Sequence, residues 1–300
     1  MYGWDDLKKI RVDSSNSIEC PILSCKNSVP RMIKKGLNLN SSKAKLQNYF
    51  CQDHKIYISP STWEYLEKKV NLLWYQTSDQ ELLENILKNG VKRESRMERD
   101  NSEDALTWNF FRYLEDRIII LDKLFTHVLD RNVSNSKLIY WSYCQIAKDV
   151  YPLLKKARAI FGEQAHQSSE PDLICETDEA LIFIEAKLTA HNNTSGSGKN
   201  LERHLENSKE YLTGDNCWFE KVFQTDYCTI VNCQKYELMR FWLLGTWMAK
   251  EIKKDFYLIN LVPMYSEHNI KKQFQPLIKE NHSNKFLRLT WEEIYNFCKA

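Results

Sequence analysis

The sequence predicts an α/β (α+β) protein, helices around a few strands, with a small metal-stapled module at its N-terminal end. Three observations carry that expectation. Apolar residues recur at helical spacing in the stretches beginning near 101 and 235. The segments 172–176, 181–188 and 256–262 are instead short apolar runs of strand length. Four soft metal donors stand in two close pairs before residue 55. Composition sets the frame: 43% hydrophobic and 27% charged residues exclude long-range disorder and collagen-like repeats. With 8 Gly and 7 Pro in 300 residues, most of the chain should be regular structure with short connections. No apolar run approaches the ~18–20 residues of a bilayer span. No apolar h-region follows Met1, so the expectation is a cytoplasmic protein without a signal peptide. Nine cysteines, an odd number spread over the whole length, read as reduced thiols. Cys144, Cys175, Cys217, Cys228, Cys233 and Cys298 sit in apolar or aromatic company and are expected mostly in the core.

Cys20, Cys25 and Cys51 do not fit that pattern. They occur as C-x4-C, followed after 25 residues by Cys51-Gln-Asp-His54. Each pair can supply two donors from one knuckle, which is what a tetrahedral Cys3His zinc site requires. Such a closed site is structural and performs no chemistry; three buried thiols beside a surface histidine is the alternative. Residues 1–70 hold 12 Lys and Arg against 7 Asp and Glu, whereas the other 230 hold 30 against 33. The basic head, with Lys34 and Lys35 near its centre, suggests contact with a polyanion such as nucleic acid, a solvated face being the alternative.

Further elements follow in order. The alternation Ile56-Tyr57-Ile58 reads as a strand, and Ser61 or Thr62 as the cap of a helix carrying Trp63, Leu66, Val70 and Leu73. Residues 76–100 form a helical linker between an N-terminal module (1–75) and the main domain (101–300). Ser102 caps a helix with Glu103 and Asp104 in its first turn and Leu106, Phe110, Leu114, Ile118 and Leu121 at helical intervals. A second helical region spans about 140–161, ending at Gly162. Residues 191–200 are a flexible stretch. A polar helix follows at about 200–212, an apolar one at about 235–252, a buried strand at 256–262, and a short helix near the end.

The chemistry concentrates in Glu170-Pro171-Asp172 and Glu185-Ala186-Lys187. On a strand, Glu185 and Lys187 share one face. With residues 177–180 as the turn, antiparallel partners sum to 357, which sets Asp172 opposite Glu185. Two facing carboxylates repel unless a positive charge lies between them, and a divalent metal supplies one. The alternative is a surface hairpin with a same-face ion pair.

This arrangement resembles the PD-(D/E)xK nuclease superfamily, on Pro171-Asp172, Glu185-Ala186-Lys187 and an acidic residue near the start of an earlier helix. The chain is also similar to a bacterial restriction-endonuclease-related family with a Cys/His knuckle and an Ile-Tyr-Ile-Ser-Pro-Ser-Thr segment ahead of the nuclease. The resemblance implies a restriction-endonuclease-like core, a central mixed sheet flanked by helices, and a metal-dependent DNA endonuclease of restriction or defence type. Mg²⁺ (or Mn²⁺) would be held by Asp172, Glu185, the Ala186 carbonyl and Glu103, with Lys187 completing the catalytic set. Glu103 is favoured over Asp104 because Leu106 and Phe110, three and seven residues on, are apolar. Arg203 and Tyr211, on the helix after the motif, are candidate phosphate contacts. Double-stranded DNA is the expected partner, and a homodimer is allowed because cutting both strands commonly takes two sites. An inactive nucleic-acid-binding protein on the same fold, or an RNA- or structure-specific nuclease, stays open.

Overall fold

The computed structural model describes residues 4–14, 16–30, 50–58, 62–89, 96–163, 169–194 and 209–299. The chain divides into two units, 1–75 with 96–109, and 76–95 with 110–300. The expected sequence of module, linker and domain is thus interleaved. Residues 76–95 count with the larger unit, and 96–109 with the smaller.

The first unit is built from hairpins. β1 (Ser17–Glu19) pairs antiparallel with β2 (Ser28–Pro30), and β3 (Phe50–Cys51), β4 (Ile56–Ile58) and β5 (Trp63–Tyr65) form an antiparallel sheet. Ile18, Ile22, Val29, Ile56, Ile58, Trp63 and Tyr65 bury one another and the three cysteines in a local core. The helix expected from Trp63 onward is corrected here. Trp63–Tyr65 is a strand followed by a 3-10 turn at Lys68–Val70, and Leu66, Val70 and Leu73 are exposed. Both edges of β5 are engaged, by β4 and by residues 98–100 (Tyr65 N–H to Glu98 O at 2.8 Å, Asp100 N–H to Trp63 O at 3.1 Å). Pairing on two sides with alternate residues buried outweighs a helical spacing of only four apolar positions. Ser61, one of the two proposed caps, lies outside the described residues.

The second unit contains a five-stranded mixed sheet of order β12-β11-β10-β9-β6. Its strands are β6 (Lys137–Tyr140), β9 (Leu173–Glu176), β10 (Ala180–Ala186), β11 (Asp255–Val262) and β12 (Asn284–Thr290). The pairs β6–β9 and β9–β10 are antiparallel; β10–β11 and β11–β12 are parallel. Between β6 and β9 lies a small hairpin, β7 (Tyr143–Cys144) with β8 (Asp149–Val150). The helices are α1 (Thr77–Lys88), α2 (Glu103–Glu115, beginning in the first unit), α3 (Ile118–Leu129), α4 (Pro152–Ile160), α5 (Lys209–Val222, broken at 214–217), α6 (Tyr227–Asn232), α7 (Tyr236–Ile252), α8 (Ile270–Phe274) and α9 (Trp291–Lys299).

Three helical expectations change. The periodic stretch from Glu103 divides into α2 and α3. The region 140–161 is helical only from Pro152, whose fixed φ suits a first helical position. Ahead of it, Trp141 and Ser142 take positive φ values of 45° and 65° in a turn. The structure also adds β12, a strand that the apolar pattern does not mark. Of the six cysteines expected mostly in the core, Cys175 is buried, Cys233 exposed and the rest half-buried.

One face of the sheet is covered by α7, in which every residue from Leu238 to Ala249 is buried. Leu181, Phe183, Phe256 and Leu258 from the sheet share a core with Phe241, Trp242 and Trp247 of that helix. Approach is closest at Gly245, where an added Cβ would come 2.0 Å from the Phe256 ring. Among the described residues, no helix is long and apolar enough to cross a membrane.

Candidate metal sites

Cys20 and Cys25 occupy the loop between β1 and β2, Cys51 ends β3, and His54 lies in the turn between β3 and β4. The two hairpins bring all four donor atoms within 4.8 Å of one another. Cys25 Sγ lies 3.7 Å from Cys51 Sγ, and His54 Nδ1 lies 3.8 Å from Cys20 Sγ and 3.6 Å from Cys51 Sγ. A tetrahedral zinc with Zn–S near 2.3 Å and Zn–N near 2.0 Å requires separations of about 3.5–3.8 Å, so the donor set fits that ion. Burial pushes the Cys20 thiol up. At Cys51 burial is outweighed by hydrogen bonds, chiefly with His54 and also from Asn27, which bring the thiol down to about 7. Lys34 and Lys35 fall outside the described residues, as does Arg203.

The second cluster stands at the end of the sheet. Thr177 N–H bonds Ala180 O at 2.9 Å to close the turn, and the pairs Leu181 with Glu176 and Ile184 with Leu173 carry the expected register. Asp172 lies one residue beyond β9. Its carboxylate Oδ2 accepts a 2.9 Å hydrogen bond from the Ala186 N–H, and its carbonyl accepts one from the Trp141 N–H. Glu185, only 3% exposed, continues the face of Leu181 and Phe183, so an apolar strand ends on a carboxylate beneath α7. Lys187 is on the same face and its ammonium pairs with Glu185 Oε1. Glu185 Oε2 is buried with no hydrogen-bond partner among the described residues.

Burial, first of all, pushes the Glu185 carboxyl well above the usual range; Lys187 opposes this, while Asp172 and Glu237 add to it. Burial also disfavours the Lys187 ammonium, but Glu185, Asp172 and Glu237 outweigh it and hold the charge. Glu237, in the first turn of α7, places Oε2 4.0 Å from Lys187 Nζ. Asn260 of β11 is the register partner of Glu185 and is fully buried. It accepts from Asn192 Nδ2 at 2.6 Å, and both Asn192 and Asn260 donate to Glu267. This ties down the segment after Lys187.

The Pro171-Asp172 loop is anchored by a buried ionic network. Arg240 of α7 grips Glu163 with two 2.7 Å bonds and Ser169 Oγ with a third, and Arg158 of α4 reaches Glu170 at 2.8 Å. Tyr211, a candidate phosphate contact, is instead 6% exposed and donates to Glu163 at 2.7 Å. Its hydroxyl is committed inside the unit. The placement of the helix acid also needs correction. Ser102 caps α2 through the Ala105 N–H at 3.1 Å, but the buried residues are Ala105, Thr107, Trp108, Phe111 and Leu114, not Leu106 or Phe110. Glu103 and Asp104 are both half-buried in the first unit, and the spacing that favoured Glu103 does not separate them.

Sequence reasoning missed Glu237 and Arg240. A lone arginine inside a twelve-residue buried run is a signal that a buried carboxylate must await it. Nothing local marks Glu237, since an acid in a first turn is ordinary.

A family model described as "Restriction Endonuclease associating with ARP" matches residues 43–298. The match takes in Glu103, Asp172, Glu185, Lys187, Cys51 and His54, and begins after Cys20 and Cys25. No curated protein and no solved structure matches the chain significantly.

Proposed function

The chain belongs to this family of restriction endonucleases, and from that premise we propose that it is a metal-dependent endonuclease acting on double-stranded DNA. The observation that carries the reading is Glu185. Its buried oxygen lacks a hydrogen-bond partner among the described residues, beside Asp172 and within reach of Lys187. Hard oxygen donors suit Mg²⁺ or Mn²⁺. Asp172, Glu185 and the Ala186 carbonyl are the residues that would hold the ion, and Glu103 is assigned to its shell by the superfamily pattern alone. Bound there, the ion supplies an activated water and charge stabilisation at the phosphoryl oxygens.

The chain's own residues do the rest. The Ala186 N–H fixes the Asp172 carboxylate, and the wall of α7 and the apolar end of β10 exclude bulk water from Glu185. Lys187, kept charged by its acidic neighbours, donates to the attacking water and to the developing charge. The Cys3His cluster would hold one structural zinc. The basic head, Lys34 and Lys35 included, adds phosphate contacts, and two copies would place one site on each strand.

Purified protein should convert supercoiled plasmid with Mg²⁺ and stop in EDTA. Asp172→Ala or Glu185→Ala should abolish the reaction while the fold survives. Full cleavage by Asp172→Ala would falsify the assignment.

A further inference from the structure

α7 enters the acidic cluster with its first turn. The Glu237 N–H donates to Thr194 Oγ1 at 2.9 Å, which holds that turn, and the side chain is only 16% exposed. Its Oε2 lies 4.0 Å from Lys187 Nζ, so one ammonium serves both Glu237 and Glu185. Asp172 and Glu237 both act on Glu185 as like charges. Three carboxylates around one lysine leave two negative charges in a largely buried pocket when all are ionised. Such an excess is costly without a further cation.

An independent observation points to the same deficit. Glu185 Oε2 is buried and has no hydrogen-bond partner among the described residues, while its other oxygen is satisfied by Lys187. A divalent cation offsets two charges and gives that oxygen a partner; the lysine does neither alone.

We propose that Glu237 is a third carboxylate of the cation site, contributed by helix α7 rather than by the sheet, so that the ion is held among Asp172, Glu185 and Glu237. This rests on reading the cluster as a cation site. It differs from a role for Glu237 as partner of Lys187 only, and the two roles separate experimentally.

The test is Mn²⁺ binding to the full chain at neutral pH, followed by calorimetry and by loss of the free-ion EPR signal, with folding checked by melting in EDTA. The proteins are wild type, Glu185→Gln, Glu237→Gln, Glu237→Asp, Lys187→Met and the Glu237→Gln/Lys187→Met pair. Glu237→Gln should weaken Mn²⁺ roughly tenfold, and the same factor should persist in the Lys187→Met background. Glu237→Asp should fall between, and carries the test if Glu237→Gln fails to fold. Unchanged affinity in the Glu237 variants overturns the proposal, as does a loss that disappears once Lys187 is replaced. If Glu185→Gln weakens Mn²⁺ but Glu237→Gln does not, the third carboxylate is refuted and the cation site stands. If Glu185→Gln also binds as wild type, the cation site itself fails.

Discussion

Asp172 and Glu185 meet because the turn at 177–180 sets an antiparallel register and the Ala186 N–H captures the Asp172 carboxylate. Replacing Asp172 by Asn keeps an acceptor for that N–H and removes one of the facing charges. Metal-free Asp172→Asn should therefore melt no lower than wild type, and gain up to about 1 kcal/mol, while cleavage is abolished. A clear drop in melting temperature in EDTA would mean the carboxylate is structural. Lys187→Ala should lower kcat by orders of magnitude with little change in DNA affinity, because the proposed role of Lys187 is at the developing charge. Glu163 makes the opposite case among carboxylates. Burial alone would raise it, yet Arg240 above all, with Arg158 and the Tyr211 hydroxyl, holds it below the 4.5 of a free glutamate. A depressed carboxylate contributes stability that is complete above the unfolded value and lost as pH falls through the folded one. Glu163→Gln leaves two buried guanidiniums short of a partner and should cost about 3 kcal/mol near neutrality. The difference from wild type should shrink below about pH 4.5 in urea titrations.

At the scale of elements, packing decides what local pattern leaves open. Residues 63–73 and 140–150 carry apolar residues at helical intervals, yet β5 pairs with β4 and buries alternate side chains, and the stretch after β6 forms the β7–β8 hairpin instead. The apolar runs at 181–186 and 256–262 were legible because a strand buried on both faces reads as a continuous apolar run. β12 hides because only Phe286 and Thr290 of its seven residues are buried, among half-buried and charged positions. α7 lies so close to β11 that Gly245→Ala drives a methyl into Phe256. That overpacking should cost about 1–3 kcal/mol, despite alanine's better helix propensity. The two N-terminal hairpins are short, and their core consists largely of the cysteines and the residues around them. Metal analysis should find about one zinc per chain. Cys51→Ser or strong chelation should melt the first unit and expose Trp63 to solvent, read by tryptophan fluorescence. Unaltered structure after zinc removal would show the thiols to be ordinary core residues.

For the whole molecule, the even overall charge conceals an unequal division: 12 basic against 7 acidic residues before position 71, and a slight acidic excess after it. Three thiolates less two zinc charges would subtract only one unit, so the head stays basic when loaded. Lys34→Glu with Lys35→Glu should weaken DNA binding and reduce the salt slope by about one for each phosphate no longer neutralised. The same affinity and slope in the double variant would make the head a fold element rather than a DNA-binding surface.

By itself the sequence determined the class of the protein and the spacing of its candidate site residues: Cys20-x4-Cys25 with Cys51-x2-His54, and Asp172 with Glu185 and Lys187. These were readable because ligand pairs in one turn, and residues paired across a tight hairpin, are related by local geometry alone. What only the tertiary structure decided involves separations that no local rule spans. Arg240 reaches back 77 residues to Glu163, α7 delivers Glu237 to Lys187, and Tyr211 turns inward to the same Glu163. Such placements depend on which helix covers which end of the sheet, and that is set by packing the buried face of α7 onto β10 and β11.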